Sequence, residues 1–209
     1  MILYDHPASG NCVKARILLR QLELPFERVT VDLFKGETRT PEHFARNRDG
    51  RVPVLELDSG EHLVESNAIL AHLAEGTPYL PDPGLARTRV FEWLFFEQDR
   101  IESELGYARF LRLSGRHEQL PEVYENRLAR GSDALAALDR GLSDGREFVA
   151  GRYSIADIAL YAYVHCAEDA GAEPRGHDSV AAWLDRVEAQ PRFENDLEPV
   201  PAHASARPV

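Results

Sequence analysis

Three short clusters hold the polar chemistry of the first 75 residues. Ser9-Gly10-Asn11-Cys12-Val13-Lys14 opens a helix directly after a first strand. The mouth of a helix presents unpaired N–H groups and partial positive charge, which favour an anion such as a thiolate. A serine hydroxyl donating to sulfur there stabilises thiolate over thiol. Each unit by which a thiol pKa falls from about 8.5 corresponds to about 1.4 kcal/mol of that preference. Ser9 or Asn11 can equally be a plain helix cap, and the two roles are compatible. Cys12 lies within the first turn. It can form a mixed disulfide with a bound thiol, or face the core as a small apolar residue.

Glu65-Ser66 ends a later strand and opens another helix. The Ser66 hydroxyl can cap that helix, and the free N–H groups of its first turn can hold a carboxylate. Glu65 can accept a hydrogen bond from an ammonium group. An acid beside a helix N-terminus matches the two charges of an α-amino acid end, although an N-cap serine after an exposed glutamate has the same sequence. Val52-Pro53 follows an Asn47-Arg48-Asp49-Gly50 turn. Pro53 cannot donate to a sheet, and a cis bond here would free the Val52 N–H and C=O to pair with a peptide. The trans form is the commoner alternative. Together the three clusters describe a site for a small anionic peptide whose reactive atom is sulfur.

The elements that must position these residues follow from periodicity. Ile2–Tyr4 is a short apolar strand, and Val13, Ile17, Leu18 and Leu22 repeat at helical spacing. Leu24-Pro25 ends that helix. Phe26–Val31 alternates as a strand, and Thr40-Pro41-Glu42 begins a capped helix. Val52–Leu57 and His62–Val64 form strands around Asp58-Ser59-Gly60-Glu61, and Ser66–Glu75 is a helix closed by Gly76. A parallel crossover followed by a tight hairpin gives a mixed four-stranded, thioredoxin-like α/β sheet.

Thr77–Gly84 contains three prolines and a glycine in eight residues and reads as a linker. Four helical stripes follow it: Val90 to Leu105, Leu128 to Leu142, Ile155 to Cys166 and Val180 to Val187. The expected organisation is a thioredoxin-like domain over 1–78 and an all-helical domain over 86–209. Ser154-Ile155-Ala156-Asp157 is a structural capping box. Glu92, Glu97, Asp99, Glu102 and Glu104 read as a solvated helix face. Fraying is expected from Glu198 onward.

The bulk numbers narrow the class. The chain has 209 residues, 44% hydrophobic and 28% charged, an ordinary globular composition. Its formal charge of −11 argues against nucleic acid as partner. No apolar run reaches the roughly 20 residues of a membrane span, and no secretory leader is expected from Met1-Ile2-Leu3-Tyr4-Asp5. The two cysteines, Cys12 and Cys166, form no framework and suit a reducing cytoplasm. The eight histidines lack metal-ligand spacing. No metal is expected, and His6, His43, His62 and His72 read as surface residues.

Ser9–Arg16, Lys35–Glu42, Asn47–Leu55 and Glu65–Leu73 are similar to the corresponding segments of bacterial cytosolic glutathione S-transferases. Phe148–Ile158 resembles the capping-box signature of that family's helical domain. The resemblance runs to about residue 195. It implies glutathione as co-substrate, with Glu65 and Ser66 holding the γ-glutamyl end. It implies that Val52, before a cis-proline at Pro53, pairs with the cysteinyl backbone. It places Ser9 as the thiol-activating serine, Asn11 as an assisting thiol contact and Cys12 third. Thr38, Arg39 and Arg51 fall in loops near the glycyl carboxylate. Tyr4 lies too early for a tyrosine-type enzyme, and Cys12 is displaced by about two positions from a cysteine-type one. The implied activity is transfer of glutathione to a small electrophile, as in detoxification, by a cytoplasmic homodimer. The alternatives are glutathione-dependent reduction of a disulfide or peroxide, and a non-catalytic glutathione- or protein-binding module. For the second substrate, Tyr107, Arg109 and Phe110 are guesses.

Overall fold

The computed structural model describes residues 1–201. It divides into two compact units, Met1–Glu75 with the tail from Arg192, and Gly76–Pro191.

In the first unit, β1 (Ile2–Asp5), α1 (Gly10–Gln21) and β2 (Glu27–Thr30) form a crossover. A 3₁₀ turn at Glu37–Arg39 and α2 (Pro41–Arg46) follow, then β3 (Val54–Glu56), β4 (His62–Leu63) and α3 (Ser66–Ala74). The strands lie in the order β2-β1-β3-β4. β1 pairs parallel with β2, and Leu3 stands opposite Arg28. β1 pairs antiparallel with β3 through Leu3 and Leu55, and β3 antiparallel with β4 through Leu55 and Leu63. This is the mixed thioredoxin-like sheet that the strand order predicts. Leu3, Val54, Leu55 and the α1 residues Ile17, Leu18 and Leu19 are fully buried, and Ile69 and Leu70 of α3 join them in the core. α1 is buried almost all round, which a surface helix with a polar face is not.

Among the described residues, the regular elements of the second unit are all helices. α4 (Leu85–Phe96) runs into a π-helical segment, Glu97–Gly106, and then into α5 (Tyr107–Leu113). α6 (Pro121–Leu142), α7 (Ile155–Val164) and α8 (Asp178–Glu188) complete it. The acidic face expected on the first of these helices is only partly solvated. Glu97 and Glu104 are buried with Ile101 and Leu105, and Glu104 accepts from Arg127 at 3.1 Å and Arg130 at 2.8 Å. The expectation failed because Glu97 and Glu104 share the helix face of Ile101 and Leu105 at helical spacing, and charges inside need partners. Gly131 of α6 allows the close approach, since a Cβ there would strike the Leu105 side chain.

The capping box at the start of α7 is formed. Asp157 Oδ2 accepts from the Ser154 N–H at 2.9 Å, and Oδ1 accepts from the Val149 N–H and from Trp183 Nε1, both at 3.0 Å. Among the described residues, no helix is long and apolar enough to cross a membrane. Within the tail, the Glu198 N–H donates to the Pro7 carbonyl at 3.2 Å. Of the fraying expected from Glu198 onward, the part over 202–209 lies outside the described residues.

Candidate active site

β1 ends at Asp5, and the chain turns through His6–Ala8 into α1. The Ser9 N–H donates to the His6 carbonyl at 2.9 Å. Ser9 is the N-cap, in extended conformation (φ −88°, ψ 121°), and its Oγ accepts from the Cys12 N–H at 3.4 Å. The Ser9 side chain is half-buried. Its own hydroxyl proton is donated to no acceptor among the described residues, so it remains available to a ligand at the helix mouth.

Cys12 lies elsewhere. Its side chain is fully buried, packed with Tyr4, Val31, Val52 and Val54, and its Sγ accepts from the His6 N–H at 3.4 Å. Burial pushes its thiol far above the usual range, and the nearby Asp5 carboxylate pushes it further. The Tyr4 hydroxyl donates to Glu56 Oε2 at 2.8 Å, and the Arg46 guanidinium covers its ring at 4.4 Å.

α1 and α3 meet through polar side chains. Ser66 Oγ donates to Asn11 Oδ1 at 3.0 Å and accepts from Lys14 Nζ at 3.2 Å. Lys14 Nζ also donates to Asn67 Oδ1 at 3.4 Å. The sequence reading gives Lys14 no role. It lies one turn beyond Asn11 on the same helix face, and its side chain is fully buried. A lysine in the middle of a buried helix was the available signal.

Ser66 does not cap α3. Glu65 occupies the N-cap with φ 67° and ψ 112°, and Ser66 is the first helical residue. A non-glycine residue at positive φ costs on the order of 1–3 kcal/mol, and such residues cluster at functional sites. The Glu65 carboxylate is exposed at the start of α3.

The Val52-Pro53 peptide bond is cis. Val52 is buried beside Cys12, yet its N–H and C=O form no hydrogen bond among the described residues. The segment before it is held firmly. His43 Nε2 and Asn47 Nδ2 both engage the Arg51 carbonyl, at 2.9 and 3.0 Å. His43 is therefore buried rather than on the surface, as is His6, whose Nδ1 lies 3.1 Å from the Val31 carbonyl. The imidazoles were misjudged because each pairs with a backbone carbonyl that local sequence does not show.

Thr38 is buried, and Arg39 Nη1 donates to the Asp49 carbonyl at 3.2 Å. Gly50 closes this turn at φ 61°, and a Cβ there would lie 2.7 Å from both Thr38 O and Arg39 Nη1. The Arg51 side chain is exposed. The structure thus links Ser9, Cys12 and Val52 in one run, and Asn11 and Ser66 in a second that includes Lys14. Thr38 and Arg39 form a third group around Gly50.

Of the three guesses in the second unit, Arg109 is committed to Asp169 at 2.9 Å. Tyr107 and Phe110 stack at 6.3 Å, under the guanidinium groups of Arg127 and Arg116.

Residues 1–75 match the family model "Glutathione S-transferase, N-terminal domain", and residues 121–186 match "Glutathione S-transferase, C-terminal domain". The chain belongs to the glutathione S-transferase family. Glutathione S-transferase 2 of Saccharomyces cerevisiae is 31% identical over 216 residues, covering 95% of this chain and 90% of its own length. A glutathione S-transferase structure from Pseudomonas fluorescens Pf-5 is 41% identical with a TM-score of 0.91, over 94% of this chain and 98% of that one. A second family member from the same organism, solved with two glutathione molecules bound, is 28% identical with a TM-score of 0.79, over 91% and 89%.

Proposed function

We propose that this glutathione S-transferase binds glutathione across α1, α3 and the Val52-Pro53 turn, and activates its thiol with the Ser9 hydroxyl. The chain is an enzyme, a glutathione transferase with glutathione as co-substrate. The observation that carries the site assignment is the half-buried Ser9 hydroxyl at the N-cap of α1, with its proton uncommitted among the described residues. A thiolate resting there meets a hydroxyl donor and the positive end of the helix.

The remaining roles follow from the local chemistry. Glu65 accepts from the ammonium of the γ-glutamyl end. Ser66, the N–H groups of the first turn of α3 and the Lys14 charge favour its carboxylate. The Val52 N–H and C=O pair with the cysteinyl backbone as a strand edge does, and Pro53 sets that turn. Thr38, Arg39 and Arg51 approach the glycyl carboxylate. Asn11 orients the site through Ser66. In the reaction the thiolate forms a C–S bond to the electrophilic carbon, and the leaving group departs with its electron pair. Cys12 takes no part. The proposed state is a cytoplasmic homodimer.

Ser9→Ala tests the reading. Losing one such donor costs about 1–3 kcal/mol, so the pKa of bound glutathione should rise by about one to two units and turnover should fall accordingly. Affinity for glutathione should hold, because the other contacts remain. An unchanged thiol pKa and turnover in Ser9→Ala would remove Ser9 from the mechanism. Halide, peroxide and disulfide substrates in the same assay separate transfer from reduction.

A further inference from the structure

The tail beyond α8 returns to the β1–α1 loop. Asp196 Oδ1 accepts from Arg16 Nε and Oδ2 from Arg20 Nη2, both at 2.6 Å. Arg28 Nη1 adds a third bond to Asp196 Oδ2 at 3.2 Å. Arg16 is fully buried, and its Nη1 reaches Asp5 Oδ1 at 2.6 Å. The second oxygen of Asp5 accepts from Arg28 Nε at 2.7 Å. Three guanidinium groups therefore share two carboxylates, one of them from a residue 180 positions beyond Arg16. Glu194 adds a longer contact to Arg20 at 3.3 Å.

This network grips the loop that carries Ser9. The Pro7 carbonyl accepts from Arg16 Nη2 at 3.2 Å and from the Glu198 N–H at 3.2 Å. Pro7 lies two residues before Ser9, and Ala8 is buried between them. Both donors to Pro7 depend on the tail, one directly and one through the ion pair of Asp196 with Arg16. A buried arginine that loses a carboxylate must reorganise, draw in water or pull harder on its other partner. Reorganisation, or a stronger pull toward Asp5, moves the Arg16 guanidinium and with it the Pro7 carbonyl.

We propose that Asp196 is a positioning residue for Ser9, holding the β1–α1 loop through Arg16 and Pro7 so that the Ser9 hydroxyl points at the bound thiol. The proposal rests on the assignment of Ser9 above. Asp196 touches neither substrate nor reacting atom. It acts by fixing a donor that must be placed closely, and small displacements of such groups carry large rate costs.

The test compares Asp196→Asn, Glu198→Pro and Ser9→Ala, alone and combined, by the thiolate absorbance of bound glutathione and by the pH profile of kcat/KM. Asp196→Asn keeps the shape and removes the charge. It should raise the bound-thiol pKa by about half a unit to one unit and lower kcat about three- to tenfold, with the glutathione KM within about twofold. Glu198→Pro deletes the tail N–H that donates to Pro7 while leaving Asp196 in place, with Glu198→Ala as the control for the lost carboxylate, and it should shift the pKa the same way by less. Neither should shift it further once Ser9 is alanine. Asp196→Asn that lowers the unfolding midpoint but leaves the thiol pKa and kcat untouched would overturn the proposal. If Ser9→Ala alone is silent, the Ser9 assignment fails and the positioning role fails with it. If Ser9→Ala shifts the pKa and Asp196→Asn does not, only the positioning role fails. Should Asp196→Asn not fold, an unchanged thiol pKa in Glu198→Pro overturns the proposal on its own.

Discussion

Ser9 and Cys12 stand three residues apart at one helix mouth, and burial gives them opposite chemistry. Ser9 presents a hydroxyl, whereas Cys12 is fully buried with its thiol held protonated by burial. Cys166 is likewise buried and pushed up to about 11. A protonated, inaccessible thiol is a poor nucleophile. Cys12→Ala should therefore leave turnover within about twofold while costing about 1 kcal/mol of stability from lost packing. Turnover and urea unfolding of the variant check both halves, and abolished activity would restore a mixed-disulfide mechanism. Ser9 as a cap was legible because cap preference is local. The burial of Cys12 was weakly legible, since Ala15 and Leu19 share its side of α1 at helical spacing and are also fully buried. Lys14 broke the apolar pattern and was still missed, because its partners Ser66 and Asn67 lie on another helix.

At the scale of the element, the start of α7 shows what a capping box costs when buried. Burial raises the Asp157 carboxyl from 3.8 to about 6, against the pull of donors from Trp183, Val149 and Ser154. The folded chain thus keeps a proton, between about pH 4 and pH 6, that the unfolded chain has released. The stability from this group is complete below about pH 4 and fades as pH rises to about 6, by roughly 3 kcal/mol at about 1.4 kcal/mol per unit. Asp157→Asn has no proton to lose. Denaturant titrations of both proteins at about pH 4 and about pH 7 should show the wild type losing stability relative to the variant as pH rises. Parallel profiles would mean that the donated bonds cancel the burial penalty. The box itself was readable from Ser154 and its spacing to Asp157. The Trp183 Nε1 bond was not, for it joins residues 26 apart.

For the whole molecule, the proposed homodimer has a direct check. Closed two-fold dimers are the commonest oligomers, so sedimentation at micromolar protein should give twice the chain mass. A single-chain mass would remove the dimer from the reading without touching the glutathione site. The formal charge of −11 sets no specificity for the electrophile. The sequence by itself determined the order of strands and helices, the parallel crossover and hairpin that make a mixed sheet, the helical character of residues after the proline-rich linker, and the residue types at the mouth of α1. These are legible because periodicity, capping and proline breaks act within a few residues. Only the tertiary structure decided the cis bond at Val52-Pro53, the strained N-cap at Glu65, the inward turn of Glu97 and Glu104, the burial of His43, the meeting of Lys14 with Ser66, and the clasp of Asp196 on Arg16. Each of these depends on what another segment places nearby, and a polar group takes a buried position only where that distant segment supplies its partner.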